Sequence, residues 1–348
     1  MDFSKKILEW YHQNKRKLPW RKTIDPYKIW LSEVMLQQTR VAQGLPYYEK
    51  FVLHFPTVFD MAKAEEEDVL KLWQGLGYYS RARNMHATAK TVVEQYNGKF
   101  PDNYQELLKL KGVGDYTASA IASISFGEPE PVVDGNVYRV LSRYFGVDIP
   151  INSTHGVKYF KELAREVMDT INIRDYNQGI MEFGAIQCAP KKPYCMLCPI
   201  REGCVAFAEN KIQELPVKLK KGKIKERFFN YVIHLDIENR TRIEQRKGKG
   251  IWQGLYQFPL IESEQLIGYG KVRERIVRQF PELHIGTVSL YNEEPIVHKL
   301  SHQHLRTKFW IVETKSEIAH GIPWSKIEEY PVPVLIADFI KSFKNHYF

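Results

Sequence analysis

The spacing of apolar residues changes once along this 348-residue chain, near residue 212. Before that point apolar residues recur at three and four, as in Phe3, Ile7, Leu8 and Tyr11, or Leu107, Leu108 and Leu110. Such spacing predicts amphipathic helices, and Pro19, Gly75, Pro101, Gly112 and Gly127 keep them short. After it comes "LPVKLKKGKIKERF", basic and poor in large apolar side chains, and then "FFNYVIHLDI", "GLYQFPLI" and "TKFWIVET", which alternate with period two and favour strands. Helical spacing returns over 264–280 and 334–345. One hydrophobic core seldom serves a chain of this length. The pattern therefore predicts an all-α domain over 1–215, a basic linker over 216–225, and an α+β domain over 226–348.

Charge is uneven between these parts. Residues 216–348 hold 22 Lys+Arg against 15 Asp+Glu, whereas residues 1–215 hold 28 against 26, within a formal total of +9. A basic excess favours a polyanionic partner, and the six cations from Lys218 to Arg227 read as a phosphate-contacting or simply solvated tether. No run reaches the roughly 18 apolar residues of a membrane span. The charged start, "MDFSKKILEWYHQNKRKLPW", contains no apolar leader core. These features give the expectation of a cytoplasmic protein without a membrane partner.

The four cysteines, Cys188, Cys195, Cys198 and Cys204, all fall in one stretch with spacing C-x6-C-x2-C-x5-C. A disulfide framework would be spread along the chain. Four thiolates from one loop can instead hold a zinc ion or an iron-sulfur cluster, with Lys191, Lys192 and Arg201 beside them to meet phosphate.

Two carboxylates stand in unusual company. Glu33, in "DPYKIWLSEVMLQQTRV", is flanked by Ile29, Trp30, Val34 and Leu36. Burial there would raise its pKa toward the range of a general acid at neutral pH. Asp134, in "VVDGNVYRVL", precedes a helix that it could simply cap. Upstream, "LKLKGVGDYTASAI" reads as helix, tight turn and helix, where Gly112 and Gly114 would let a phosphate approach free N–H groups. Taken singly, each feature has an ordinary structural explanation.

Jointly, "LPWR", "SEVMLQQT", "GLGYYSRARN", "KGVGDYTASAI", "VDGNVYRV", "MEFGAIQC" and the cysteine loop resemble the helix-hairpin-helix DNA glycosylases, and within them the adenine DNA glycosylases. "GIWQGLYQFP" and "LSHQHL" resemble that family's C-terminal Nudix-like domain. The resemblance implies an all-α glycosylase domain with a [4Fe-4S] cluster on Cys188, Cys195, Cys198 and Cys204, followed by an α+β domain that reads 8-oxoguanine. It implies a monomer acting on double-stranded DNA with A:8-oxoguanine or A:G mispairs, where adenine is flipped out and its glycosidic bond hydrolysed. By resemblance Glu33 is the general acid and Asp134 the carboxylate beneath the sugar, with Tyr116 and Asn136 positioning them. Trp20, Arg21 and Gln178 line the adenine pocket; Leu36, Gln38 and Tyr78 enter the base stack, and Gly112 and Gly114 meet the backbone. Ser301 and His302 match the lesion-reading motif, with Leu300 where the family has phenylalanine. Strand-cleaving relatives carry a lysine at the position of Tyr116, so the tyrosine implies base removal without lyase chemistry; Lys111 is the nearest lysine. The helix in "GYGKVRERIVRQFPEL" lacks the glutamates of a working Nudix box. Two readings stay open beside this one: a bifunctional glycosylase-lyase, and a catalytically idle iron-sulfur DNA-binding protein.

Overall fold

The computed structural model describes residues 2–220, 222 and 224–347; Lys221 and Lys223 of the expected linker lie outside the described residues. Chain contacts divide the molecule into two units, Met1–Lys63 with Asn84–Lys221, and Ala64–Arg83 with Gly222–Phe348. This differs from the sequence-based partition, because a periodicity change marks where strands begin and cannot show that an earlier helical segment, 64–83, packs with them.

In the first unit the long helix Ile173–Ile186 is central, with Ile173, Tyr176, Ile180 and Phe183 buried along it. Helix Asp2–Asn14 lies on one side of it. A Cβ on Gly179 would stand 3.1 Å from that of Tyr11, so the glycine lets the two helices approach closely. Helix Gly135–Phe145 packs on another side. Large side chains fill the middle, among them Tyr11, Trp30, Phe51, Phe160, Tyr176 and Phe183, all under 2 % exposed. The hairpin segment folds as helix Tyr104–Leu107, a turn, and helix Asp115–Ile121, which continues into a π-helical turn, Ala122–Phe126.

The second unit is built on a sheet whose central strands, Lys225–Leu235 and Gln303–Thr314, run parallel in register Lys225↔Gln303 through Leu235↔Glu313. Leu260–Ser263 flanks the first antiparallel, and Ile285–Leu290 and Ile296–Lys299 flank the second. Period-two alternation predicts one wet face, yet Phe229 through His234 are all buried. The reason is cover on both sides. Val232, Trp310 and Val312 pack on Val272 and Ile276 of helix Tyr269–Gln279. On the other face Tyr231 stacks on Phe309 at 5.5 Å, and Phe309 stacks on Phe339 of helix Val334–Tyr347 at 4.1 Å. "LSHQ" forms the tip of the hairpin between Ile296–Lys299 and Gln303–Thr314, closed by Leu300 N–H donating to the Gln303 carbonyl at 2.9 Å. No helix among the described residues is long and apolar enough to cross a membrane.

Candidate active site

Glu33 is carried into the interior by its helix, Pro26–Leu36, on which Tyr27 and every residue from Ile29 to Met35 is buried. A helix that is apolar on most sides must sit inside, and one carboxylate goes with it, 6 % exposed. Burial pushes the Glu33 carboxyl up to about 7, and the nearby charge of Asp134 adds to that rise, while a Tyr116 hydrogen bond and the Arg21 charge oppose it. The Tyr116 hydroxyl donates to Glu33 Oε2 at 2.5 Å and lies 3.2 Å from Met181 Sδ. Tyr116 reaches this place because the hairpin turns sharply. Gly112 adopts φ +77°, and a Cβ there would lie 2.7 Å from that of Asn84. Gly114 caps the following helix with open space around the position a Cβ would take.

Asp134 does cap helix Gly135–Phe145. Its Oδ1 accepts from the backbone N–H of Asn136 and of Val137, each at 2.8 Å, and Oδ2 accepts from Asn136 Nδ2 at 2.7 Å. Burial nonetheless wins over these bonds and over Arg139, so its pKa is raised. Each carboxylate oxygen can accept more than one bond, so capping leaves acceptor capacity for a ligand. Asn136 is oriented in turn by Arg139, whose Nη2 donates to Asn136 Oδ1 at 2.9 Å and whose Nε donates to the Cys188 carbonyl at 2.8 Å. The helices meet here because residue 184 is glycine; a Cβ would come within 2.7 Å of Asn136.

Arg21 gives both Nη atoms to Glu182, at 2.8 and 2.7 Å, and Arg16 binds the same carboxylate at 2.8 and 2.5 Å. The two guanidinium groups overcome burial and hold the Glu182 carboxyl down at about 2. Trp20 is buried edge-on to Tyr48, 5.1 Å between rings. Gln178 is buried, its Nε2 donating to the Arg174 carbonyl at 3.3 Å, one helical turn before Met181 and Glu182. The structure thus brings Arg21, Glu33, Tyr116, Asp134, Met181 and Glu182 into one neighbourhood. Sequence reasoning missed Met181, Glu182 and Arg139. The first two were legible, since Gln178, Met181 and Glu182 fall at helical spacing on one face; Arg139 carried no signal of its own.

The expected stack-entering residues occupy turns. Leu36 ends its helix, Gln38 takes a left-handed backbone at φ +55°, and the intervening Gln37 donates from Nε2 to Thr117 Oγ1 at 3.1 Å. In the second unit Tyr78, also left-handed at φ +49°, places its hydroxyl 2.6 Å from Ser301 Oγ. A strand-end serine often bonds its own backbone; this one bonds Tyr78. Together with Trp252, Leu300, His302 and Gln303 these two line one open cavity.

None of the four cysteines is in a disulfide, and all four line a small cavity walled by Val140, Phe183, Ile200 and Phe207. Arg143, itself buried, closes the loop by donating to the carbonyls of Ala189 and Leu215 at 2.9 and 3.1 Å, and to Cys188 Sγ at 3.5 Å. Among the described residues no three His, Cys, Asp or Glu side chains converge closely enough to hold a single metal ion.

Known proteins resemble the chain along most of its length. The HhH-GPD superfamily of base excision DNA repair proteins matches residues 31–181, and the NUDIX domain family matches residues 230–342. An adenine DNA glycosylase from Buchnera aphidicola subsp. Baizongia pistaciae is 34% identical over 99% of this chain and 98% of its own. That of Buchnera aphidicola subsp. Schizaphis graminum is 40% identical over 75% and 76%, and the Homo sapiens enzyme 44% identical over 59% and 39%. Among solved structures, a thermostable thymine-DNA glycosylase is 33% identical with TM-score 0.56, covering 60% of this chain and 96% of its own. An endonuclease III bound to DNA, 21% identical, shares the fold at TM-score 0.53, covering 60% and 95%.

Proposed function

Since the chain belongs to the adenine DNA glycosylases of base excision repair, we propose that it removes adenine mispaired with 8-oxoguanine or guanine from duplex DNA, leaving an abasic site and an uncut strand. The observation that carries this reading is a protonatable Glu33, bonded to Tyr116 and close enough to Asp134 for their charges to interact.

Adenine is a poor leaving group until it is protonated. A carboxyl titrating near 7 is protonated in about half of the molecules at neutral pH and can deliver that proton to N7 of the extruded base. As the glycosidic bond breaks, its electron pair leaves with the adenine and positive charge grows on the sugar. Asp134, fixed by three hydrogen bonds, is preorganised to meet that charge or to add to it covalently. Water then completes the sugar as a hemiacetal, and its proton goes to a carboxylate. Trp20, Arg21 and Gln178 would line the base; Arg21 is held for that task by Glu182. Tyr116 occupies the place of an attacking amine, which supports base release without strand scission.

The four thiols suit a [4Fe-4S] cluster, since all four line one apolar cavity and thiolates are the ligands such a cluster takes. Bound there, the cluster would cross-link the loop 188–204; the chain's own contribution is Arg143, which ties that loop to helix Gly135–Phe145. The second unit would read the opposite base through Ser301 and His302, with Tyr78, Leu36 and Gln38 entering the stack, and Gly112 and Gly114 facing the backbone. The protein would act as a cytoplasmic monomer. Single-turnover kinetics on an A:8-oxoguanine duplex test the reading: adenine release with strand breaks only after alkali is expected. Breaks that appear without alkali at the rate of base release, or no release at all, would overturn it.

A further inference from the structure

Asp134 ends a stretch of irregular backbone that begins after Phe126. Two side chains from different helices hold that stretch. Asn177, on Ile173–Ile186 and fully buried, donates to the Glu130 carbonyl and to Ser123 Oγ at 2.8 Å each, and accepts from Val132 N–H at 3.3 Å. Lys161, on helix Thr154–Val167, donates to the Pro131 carbonyl at 2.8 Å. The same ammonium donates to Ser119 Oγ at 2.8 Å and pairs with Asp115 at 3.1 Å and Glu130 at 3.6 Å. Its side chain is only 15 % exposed.

Asp115 and Ser119 lie on the helix that carries Tyr116, immediately before it and three residues after it. Pro131 lies three residues ahead of Asp134. Lys161 therefore touches both the element that orients the acid and the loop that delivers the sugar-facing carboxylate, while the reacting groups themselves are bonded to other side chains. An ammonium with three donors on a long stem suits this cross-link. We propose that Lys161 is a positioning residue for excision, fixing the spacing between the Glu33–Tyr116 pair and Asp134. The inference rests on the roles given above to Glu33 and Asp134.

The test compares Lys161→Met, which keeps the stem and removes the charge, with Lys161→Arg, which restores a donor cation. Single-turnover release from an A:8-oxoguanine duplex is measured beside affinity for a duplex whose adenosine carries a 2′-fluorine, which resists base loss. Misplacement of reacting groups by a fraction of an ångström to an ångström lowers rates by roughly ten- to a hundredfold. A rate loss of about tenfold or more is expected in Lys161→Met, with affinity within about twofold of the parent and most of the rate recovered in Lys161→Arg. A Lys161→Met rate within about twofold of the parent overturns the proposal. So does affinity falling in step with rate, which would make the lysine a DNA contact, or an arginine variant no better than the methionine one. If Lys161→Met does not fold, Lys161→Gln takes its place under the same criteria. Asp134→Asn is run in parallel: parent-like excision there removes the underlying catalytic reading, whereas parent-like excision in Lys161→Met alone removes only this inference.

Discussion

Replacing Glu33 by glutamine should make the protein more stable and far less active, and the stability gain should depend on pH in a direction fixed by its burial. The Glu33 carboxyl titrates near 7 when folded, against an ordinary value of 4.5. Below pH 4.5 both states are protonated and the residue imposes no charge penalty. As pH rises through the window from 4.5 to 7, the unfolded chain releases the proton first, and the folded state loses about 1.4 kcal/mol for each pH step. Above pH 7 the full cost is roughly 3 kcal/mol. Glutamine keeps an oxygen for the Tyr116 hydroxyl and never ionises, so it removes this penalty. The variant's advantage over the parent should be about 1 kcal/mol at pH 5.5 and roughly 3 at pH 8. Their difference, about 2 kcal/mol, corresponds to a gain in Tm larger by roughly 4 to 8 °C at pH 8 than at pH 5.5. Parent and variant are unfolded thermally at matched scan rate at both pH values. Over the same samples, single-turnover adenine release should fall by at least about a hundredfold, since an amide delivers no proton. A Tm difference that is equal at the two pH values, or a variant less stable than the parent at pH 8, would refute the argument that burial dominates the state of Glu33.

In the parent protein the single-turnover rate should hold up to neutral pH and then fall about tenfold per pH step above about 7 as Glu33 loses its proton; a flat profile to pH 9 would assign the proton to another group. Asp134→Asn should lower release by about a hundredfold or more while duplex affinity stays near the parent's, because the amide can still accept the capping bonds but cannot meet a growing positive charge. Cys198→Ser should reduce bound iron from about four per chain and lower thermal stability and DNA affinity together, measured by iron assay, visible absorbance and gel shift. One zinc per colourless chain in the parent would defeat the cluster assignment. Ser301→Ala should weaken the preference for 8-oxoguanine over guanine by roughly twofold to tenfold, the worth of one hydrogen bond; an unchanged ratio at matched salt would move lesion reading elsewhere.

The linear chain already contained the division into a helical and a sheet-bearing part, because hydrophobic period is a local property of sequence. It also contained the candidate site residues that lie in short contiguous motifs: Glu33 in its apolar run, Asp134 ahead of a helix, the glycines of the hairpin and the clustered cysteines. Contacts between distant segments were decided by tertiary structure. The rise of the Glu33 pKa depends on desolvation by the packed fold and on Tyr116, and the low pKa of Glu182 depends on Arg16 and Arg21. Arg139 lies in a motif read for its neighbours, and Lys161 and Asn177 have no motif around them; what sets all three apart is which carbonyls they reach across the fold. Likewise the grouping of residues 64–83 with the second unit, and the bond between Tyr78 and Ser301, follow from packing. A sequence names which side chains can ionise, donate or bind. The fold fixes how dry each one is and what stands within three ångströms of it, and those two quantities set its chemistry.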